Sequence, residues 1–522
     1  MKDRIGLFIL VSFVLITSWI WLTIDTTPPW YDQADYLHTS LHYAQQLKDL
    51  NLPEFLKSVI TFNRIRPPVL MLIVTPVFFQ PYRNEDLAVM TNVLYLVLAF
   101  IVVYKICKSY LNSKASLLCC FVLFMYPLIF GLSRQLLPEI CLLCIVSLSM
   151  LLLLKCDYFR NIKYSLLLGV SIGIGMLTKM TYAAFLIGPF IYVMYKSLTL
   201  SRKARLNLLY CLIIAIGLSA IWHGPNLKQH FSLIFSMSYG KGASWASRGT
   251  LFSADALLYY PREIMYYGIS FLFSLIFLFS STRFFIKNKD KDMKFIFLLW
   301  ILTPVILFSI FLGKDVRFII PIFVPIAIIT GQGIYEIKNK IMKYALITML
   351  VVTGFFQFMC YSFRIPMLSQ LAHKSLIWNR VVFFDPLPYS CYRMLPEHAE
   401  WGVMDSLLFI KSHMERENIK ESSSLLLAQQ RVYNANTLLY YSDKEKFRCH
   451  IFYMGGAEDG YSMISQKYDY VIYKDKEAAY VPVYISRIKK AIKYIKANPG
   501  EFKLIYKNRL PDGSNILIYK HG

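Results

Sequence analysis

The sequence predicts a polytopic α-helical membrane protein of about eleven spans, followed by a small α/β domain outside the membrane. Three observations lead to this fold class. Hydrophobic residues make up 56% of the 522 residues and charged residues only 17%, whereas soluble proteins carry about 25% charged residues. Apolar runs of about membrane-spanning length recur up to residue 361. Residues 400–522 instead show an amphipathic helix and short strand patterns.

The first apolar run, Ile5–Ile24, is long enough to cross a bilayer core of about 30 Å. It follows Lys2 and Arg4 and precedes no A-x-A cleavage site, so we interpret it as an uncleaved signal anchor with a cytoplasmic N-terminus. Ten further runs lie near residues 87–105, 115–131, 140–154, 164–180, 182–195, 206–222, 264–281, 294–312, 318–335 and 343–361. The short apolar run from Pro67 to Phe79 is expected to dip into the membrane or lie along it.

The loop charges predict the orientation of these spans. Cytoplasmic loops carry an excess of Lys and Arg, and every second loop of this sequence is basic. The basic loops lie at residues 105–114, 155–163, 202–205, 283–294 and 338–343. This alternation gives eleven spans with the C-terminus outside, in the inner or plasma membrane. The formal charge is +24, of which residues 362–522 hold +7 and the membrane part +17. The positive charges of the membrane part cluster in short loops between apolar runs, so nucleic-acid binding is not indicated.

The predicted domains are a membrane domain over residues 1–361, with outer loops 25–66 and 223–262, and an α/β domain over residues 362–522. Within the second domain the pattern predicts a helix from Met404 to Met414. Strands are expected at Ser424–Ala428, His450–Tyr453 and Tyr468–Tyr473, and a final hairpin at Phe502–Tyr506 and Ile516–Tyr519. The hairpin turn is Pro511-Asp512-Gly513-Ser514, whose residue types favour a turn.

Candidate functional residues begin directly after the first span. From Ala34 onward, Ala34, Leu37, Leu41 and Ala44 fall on one helical face, and Asp35, His38, Thr39 and His42 fall on the other. The segment is therefore interpreted as an amphipathic helix on the membrane surface with Asp32 at its N-terminus. Asp32 is either a helix cap or a reactive carboxylate. The i, i+4 pair His38 and His42 has metal-ligand spacing, but no Glu completes a zincin motif, so we expect a solvated or interfacial pair.

Four further polar clusters lie at predicted outer borders of the membrane. They are Arg64 with Arg66, Ser133-Arg134 through Glu139, Thr178-Lys179, and Lys314-Asp315-Val316-Arg317-Phe318. Ionisable groups at such depth are costly and usually face a cavity or a partner. Each basic residue could instead be a snorkelling anchor. Anchoring explains Glu139 less well, because Glu139 is an acid flanked by apolar helices. Together, the four clusters indicate one outer cavity lined by acids and bases.

In this order, the motifs resemble the GT-C superfamily of membrane glycosyltransferases, in the branch that includes protein O-mannosyltransferases and the lipid A aminoarabinose transferase. The resemblance covers residues 5–335. It rests on Asp32 after the first span, Arg66-Pro67-Pro68, Glu139, Gly173-x-Gly175-x-Leu177-Thr178-Lys179, and Lys314-Asp315-Val316-Arg317-Phe318-Ile319-Ile320-Pro321. Family members often carry Asp-Glu at the first site, whereas Gln33 follows Asp32 here.

The resemblance implies an inverting transfer of a sugar from a polyprenyl-phosphate donor to a lipid, glycan or protein acceptor outside the cytoplasm. Asp32 would be the general base on the acceptor hydroxyl, and Asp35 is a neighbouring candidate for substrate binding. Arg66, helped by Lys179 or Arg317, would stabilise the leaving phosphate. Glu139 would orient the acceptor or a divalent cation. The metal stays open, since some relatives use one and others do not.

Two alternative functions belong to other classes of membrane protein. A ligase or polymerase would transfer a lipid-linked oligosaccharide instead of a monosaccharide. A transporter would be expected to show repeated halves and broken helices near the midplane, and the sequence shows no such symmetry while its polar clusters gather at one face. The sequence therefore favours a transferase. It does not identify the sugar or the acceptor.

Overall fold

A computed structural model of the chain describes residues 2–82, 84–240, 243, 247, 249–288, 290–363, 376–378, 381–384, 395–453, 468–476, 478–479 and 482–522. The chain divides into two compact units. The first comprises Met1–Leu22, Leu50–Ile73 and Asp86–Leu395, and the second comprises Thr23–Asp49, Val74–Glu85 and Pro396–Gly522. Since these units interleave along the chain, the linear division at residue 361 stays a prediction. Residues 241–242, 244–246 and 248 of the predicted outer loop 223–262 lie outside the described residues.

Helices dominate the chain up to Ser362. They are α1 (Lys2–Ile24), α2 (Tyr31–Lys48), α3 (Leu52–Thr61), α4 (Val69–Val74), α5 (Asn84–Lys108), α6 (Ser113–Met125), α7 (Pro127–Ser133), α8 (Pro138–Lys155), α9 (Ile162–Met176), α10 (Tyr182–Leu198), α11 (Arg202–His223), α12 (Leu227–Ser238), α13 (Ala254–Leu257), α14 (Tyr259–Glu263), α15 (Phe271–Lys287), α16 (Lys291–Ser309), α17 (Phe323–Tyr335) and α18 (Lys340–Ser362). Two 3-10 helices, Thr75–Phe79 and Val316–Ile322, and one π-helix, Ile264–Gly268, complete this set. A short hairpin pairs β1 (Leu376–Trp378) with β2 (Val381–Phe384).

The predicted membrane fold is confirmed. Among the described residues, seven helices are long and apolar enough to cross a bilayer, and two bent helix pairs raise the number to nine. The two remaining predicted runs form the shorter helices α9 and α10. Every one of the eleven predicted runs is thus helical, while the count of eleven spans stays a prediction. The apolar run from Pro67 to Phe79 contains α4 and the 3-10 helix Thr75–Phe79, which together are too short to be a candidate span. That this run dips into the membrane or lies along it stays a prediction.

Proline explains the first bent pair. The axes of α6 and α7 differ by 71°, and Pro127 is the first residue of α7. A residue that precedes proline is disfavoured in the α-helical region. Tyr126 accordingly adopts extended backbone angles, φ −70° and ψ 123°. The predicted run 115–131 is therefore broken at this point.

The second unit contains a five-stranded mixed sheet. Its strands are β3 (Ser422–Leu427), β4 (Cys449–Tyr453), β5 (Tyr470–Lys474), β6 (Phe502–Arg509) and β7 (Asn515–His521), in the order β4-β3-β5-β7-β6. β3 runs parallel to β4 and β5, and β7 runs antiparallel to β5 and β6. The α/β domain predicted from residue 400 onward is confirmed, including its final hairpin, where Gly513 in the turn has φ +75°.

Helices of the second unit cover both faces of this sheet. Alternate strand residues point to opposite faces, so neighbouring residues of one strand belong to different cores. On one face, Leu426 and Ile472 belong to a core with α19 (Val403–Arg416) and α20 (Ala435–Lys444). On the other face, Leu425 and Val471 belong to a core with α21 (Pro482–Ala497). Of these helices only α19 was predicted from the sequence.

Helix α2 also belongs to the second unit, where it packs against α20 and the 3-10 helix Thr75–Phe79. Its predicted apolar face is buried, namely at Ala34, Leu37, Leu41 and Ala44. Protein therefore covers this face, whereas the position of α2 on the membrane surface stays a prediction. Thr39, assigned to the polar face, is buried too, with its hydroxyl donating to the Asp35 carbonyl 2.9 Å away.

Candidate active site

A buried carboxylate, Glu139, is the centre of an ion cluster in the first unit. Pro138 starts α8, where its missing N–H costs no hydrogen bond, so Glu139 lies in the first turn of the helix. The Glu139 side chain is 1% exposed. Lys179 Nζ lies 2.7 Å from its Oε1, and Arg317 Nε lies 3.8 Å from the same oxygen. Within the described part of the chain, Glu139 Oε2 has no hydrogen-bond partner.

The motif Gly173-x-Gly175-x-Leu177-Thr178-Lys179 places Lys179 in this cluster. Helix α9 ends at Met176, so that Lys179 lies in the turn that follows. A Cβ atom on Gly173 would lie 2.6 Å from Leu218 Cβ, and one on Gly175 would lie 2.2 Å from the Tyr182 ring. The two glycines therefore allow close packing of α9 against Leu218 and Tyr182.

Arg317 is held from the other side by Asp315. The Asp315 carboxylate caps the 3-10 helix Val316–Ile322, accepting a hydrogen bond from the Arg317 backbone N–H at 3.0 Å. It also accepts one from Arg317 Nε at 2.9 Å. The cluster thus contains two carboxylates and two cations, a formally neutral set. Lys and Arg side chains carry several N–H donors each, which is the type of group that binds the oxygen atoms of an anionic ligand.

Lys314, in the same sequence motif, has a structural role. Its ammonium group is buried and donates to the carbonyl groups of Phe308, Ser309 and Phe311, at 3.3, 2.6 and 2.7 Å. These carbonyls belong to the C-terminal end of α16, where cations satisfy free acceptors. Burial lowers the pKa of the Lys314 ammonium.

The Arg66-Pro67-Pro68 segment is tied to the Lys179 turn through the backbone. Val69 N donates to the Leu177 carbonyl at 3.1 Å, and the Arg66 backbone N–H donates to Asn63 Oδ1 at 3.2 Å. The Arg66 side chain is half-buried. Arg66 and Lys179 are therefore carried by two hydrogen-bonded segments.

Two histidines that the sequence analysis did not single out support this segment. His230 Nε2 lies 3.1 Å from the Arg64 carbonyl oxygen, and His223 Nε2 lies 3.1 Å from the Met176 carbonyl oxygen. The two Nδ1 atoms lie 3.2 Å apart. The pair thus connects the Arg64–Val69 segment to the end of α9. His223 directly follows a predicted span and His230 follows seven residues later, but nothing in the sequence indicates that they pair.

Arg134 was grouped with Glu139 in the sequence, yet the structure surrounds it with aromatic rings. The Arg134 guanidinium carbon lies 5.6 Å from the ring centroids of Trp21 and Phe130 and 5.1 Å from that of Phe358. Its Nε and Nη2 atoms have no hydrogen-bond partner among the residues that the structure describes. Cation–π attraction is the stabilising interaction visible for this buried charge.

Asp32 and Asp35 lie in the second unit, in the first part of α2. The N-cap residue of α2 is Trp30, which makes no side-chain cap hydrogen bond, and Asp32 is the second helical residue. Asp32 therefore does not occupy the N-cap position that the capping hypothesis requires. Asp32 and Asp35 are both half-buried, and their i, i+3 spacing places them on the same side of the helix.

The turn before α2 is fixed by helix α20. Thr437 Oγ1 donates to the Pro29 carbonyl at 2.8 Å, and Asn436 Nδ2 donates to the Tyr31 carbonyl at 3.2 Å. Tyr31 has φ +34°, an unfavourable angle for a residue with a side chain. Non-glycine residues in such conformations persist where the surroundings determine them. The backbone next to Asp32 is held in this way by the C-terminal part of the chain.

Among the described residues, the histidines of α2 belong to no metal-ligand set. His38 Nε2 lies 2.6 Å from Asp443 Oδ2, which gives His38 a partner within the second unit. No group of three His, Cys, Asp or Glu side chains in the described ranges converges as a metal-ligand set.

Comparisons with known proteins agree with this architecture. Residues 66–222 match the family model described as dolichyl-phosphate-mannose-protein mannosyltransferase. The structure of ArnT from Cupriavidus metallidurans bound to undecaprenyl phosphate is similar at a TM-score of 0.63, with 13% identity over 98% of each chain. The apo form of ArnT gives 0.61, with 12% identity over 99% of this chain and 98% of that one.

A third solved structure is the Archaeoglobus fulgidus oligosaccharyltransferase tethered to an acceptor peptide. It has a TM-score of 0.54 and 11% identity, over 99% of this chain and 74% of the other. A search of curated protein sequences found no significant match. At these identities the likeness concerns the fold.

Proposed function

Because this chain has the GT-C fold of membrane glycosyltransferases, we propose that it transfers a sugar from a polyprenyl-phosphate-linked donor to an acceptor outside the cytoplasm. The observation that carries this proposal is the buried Glu139–Lys179–Arg317 cluster, hydrogen-bonded through Leu177 and Val69 to the segment that bears Arg66. Buried ionisable groups within a membrane bundle indicate a functional cavity.

In the proposed reaction, the acceptor hydroxyl oxygen attacks the anomeric carbon of the donor from the face opposite the phosphate. The bond between that carbon and the phosphate oxygen breaks, and its electron pair leaves with the polyprenyl phosphate. The hydroxyl proton passes to the Asp32 carboxylate, the general base. The anomeric configuration is therefore inverted.

Arg66 stabilises the charge that grows on the leaving phosphate, since a guanidinium group can donate two parallel hydrogen bonds to it. Lys179 and Arg317 remain paired with Glu139 and assist through their positive charge. Glu139 orients these cations, and Asp35 binds substrate. Undecaprenyl phosphate is the lipid carried by the ArnT structure, and the same class of carrier is proposed here.

The test is a transfer assay with purified protein in liposomes. Its components are a radiolabelled polyprenyl-phosphate monosaccharide, a lipid-linked oligosaccharide, and extracts of candidate lipid, glycan and protein acceptors. The proposal expects label to move from the monosaccharide donor to one acceptor class, with release of polyprenyl phosphate. Transfer from the oligosaccharide donor alone would identify a ligase instead. Mass spectrometry of glycolipids and glycoproteins from a deletion strain and its parent identifies the natural acceptor.

A further inference from the structure

A groove of about 560 Å³ runs between α1, α6, α17 and α18 in the first unit. Its walls are apolar, with Leu10, Leu118, Ile347 and Val351 among the residues that line it. Phe13 and Phe121 both contact Phe355 at one end, with ring centroids 5.5 and 5.8 Å apart. The volume is within the range of about 300–1,000 Å³ typical of small-molecule sites.

The groove has the length of one membrane leaflet. It extends along α18 from Lys343 to Phe355 and along α6 from Lys114 to Met125. At about 1.5 Å per residue these stretches are about 16–18 Å long. Half of a hydrocarbon core of about 30 Å is about 15 Å, so a single acyl chain fits its length.

One end of the groove, which we call the groove mouth, is basic. Lys114 is exposed at the start of α6, and Lys343 is half-buried near the start of α18, with Nζ 4.7 Å from the centre of the Tyr335 ring. Tyr344 also lines this end. No carboxylate forms an ion pair with either lysine within the described part of the chain.

This end lies away from the candidate active site. Helix α17 follows directly after the 3-10 helix that bears Arg317, and it ends at Tyr335 in the groove mouth. The mouth therefore belongs to the opposite end of α17 from the Glu139 cluster. Its two lysines come from the loops that the charge pattern assigns to the cytoplasm.

We propose that the groove binds an anionic glycerophospholipid of the leaflet opposite the Glu139 cluster. The phosphate group lies between Lys114 and Lys343, which supply the complementary charge, and one acyl chain extends toward Phe13 and Phe355. Tyr344 lies at the headgroup level, where amphipathic rings are favoured. The bound lipid stabilises the packing of α1 against α6 and α18. This site is separate from the proposed transfer reaction and does not depend on it.

Native mass spectrometry of the full chain, released from nanodiscs with equal phosphatidylglycerol and phosphatidylcholine, tests the proposal. Two lysines near an anionic headgroup are expected to enrich phosphatidylglycerol on the order of tenfold among retained lipids. Lys114→Gln with Lys343→Gln is expected to reduce this enrichment to about one. The matched control, Lys338→Gln with Lys340→Gln, removes two charges from a neighbouring loop position outside the groove lining and is expected to keep it.

A second variant tests the groove itself. Ile347→Trp fills the apolar channel without changing any charge, and it is expected to reduce retention of both lipids. Equal retention of the two lipids by the wild-type protein would overturn the proposal, as would equal loss of enrichment in the control variant. Preferential retention of undecaprenyl phosphate, when it is supplied beside phosphatidylglycerol, would identify a different occupant and would also overturn it.

Discussion

Lys179 Nζ lies 2.7 Å from Glu139 Oε1, and both side chains are largely removed from solvent, with 17% and 1% exposed. Removing one partner of a buried ion pair leaves an uncompensated charge, typically at a cost of about 3–5 kcal/mol. We therefore expect Glu139→Ala and Lys179→Met each to lower thermal stability, and the double variant to lose less than the sum of the two. Thermal unfolding of the wild-type protein, the two single variants and the double variant in detergent measures these losses of stability. Losses that add up in the double variant would show that the two groups do not interact.

The topology is the second prediction. The basic loops place Lys114 and Arg202 in the cytoplasm, whereas the α/β domain is expected outside. Reporter fusions after Lys114 and Arg202 should therefore report the cytoplasm, and a fusion after Lys444 the outside. A cytoplasmic signal from the Lys444 fusion would place the α/β domain in the compartment that holds nucleotide sugars. That result would contradict the proposal that the donor is linked to a polyprenyl phosphate.

Arg66 is the third prediction. Arg66→Ala should leave expression and thermal stability near the wild-type values and lower turnover severely, because the leaving phosphate loses its donor. Arg66→Lys should recover part of the turnover, since the charge survives while the bidentate geometry is lost. Arg64→Ala is the matched control, because the Arg64 contact with His230 is made by the backbone carbonyl. Wild-type turnover by Arg66→Ala would remove Arg66 from the site.

Much of the fold could be predicted from local sequence patterns. Lipid-exposed helices must be apolar for about twenty residues, and each predicted run proved to be helical, although two of the runs fall in bent helix pairs. Alternating residues and a turn with glycine predicted the hairpin that ends the chain. The buried residues of α2 were also predicted, but not the surface that covers them. That surface comes from the 3-10 helix Thr75–Phe79 and from α20, about 400 residues later. Periodicity within α2 carries no information about such partners.

The site was predicted less completely, for the same reason. Lys179 and Lys314 both occur as single lysines at span borders, yet Lys179 pairs with Glu139 while Lys314 caps the preceding helix. The difference depends on which chain segments meet in three dimensions. His223 and His230 were missed, since a pair that bridges two backbone segments has no characteristic spacing. Arg134 was assigned to the Glu139 cluster by proximity in sequence, although its guanidinium packs among aromatic rings.

The fourth prediction concerns acid stability of the second unit. Burial tends to raise the pKa of Asp512, but hydrogen bonds from Lys474 and Ser514 outweigh it and hold the pKa below the usual value of 3.8. A lowered folded-state pKa contributes stability above the unfolded-state pKa, and this contribution is lost as pH falls through the folded-state value. Lys474 is 2% exposed, so loss of its partner carboxylate leaves a buried charge.

Asp512→Asn should therefore lower the unfolding temperature at neutral pH and have progressively less effect as the pH falls below about 4. Glu501→Gln, at an exposed position in the same unit, serves as the control and should leave the unfolding temperature near the wild-type value at each pH. Thermal unfolding of the full chain between about pH 7 and pH 3 measures both. An equal effect of Asp512→Asn at both ends of this range would contradict the prediction.

The final prediction concerns Asp32, the proposed general base. Asp32→Asn keeps the size of the side chain, and since the N-cap position belongs to Trp30, no cap hydrogen bond is lost. A purely structural role therefore predicts a folded and active protein. The catalytic role predicts a folded protein whose transfer rate falls by about 10²–10⁴-fold, because an amide cannot accept the hydroxyl proton. A transfer assay with a radiolabelled polyprenyl-phosphate sugar distinguishes the two outcomes.

Asp35→Asn is the matched control for Asp32→Asn, since Asp35 lies one turn later on the same side of α2. As a substrate-binding residue, Asp35 should affect KM more than kcat and lose far less transfer than Asp32. If Asp35→Asn were inactive and Asp32→Asn nearly normal, Asp35 would be the general base instead of Asp32. Normal transfer by both variants would exclude a general base in this segment. The unfolding temperature of each variant separates lost chemistry from lost structure.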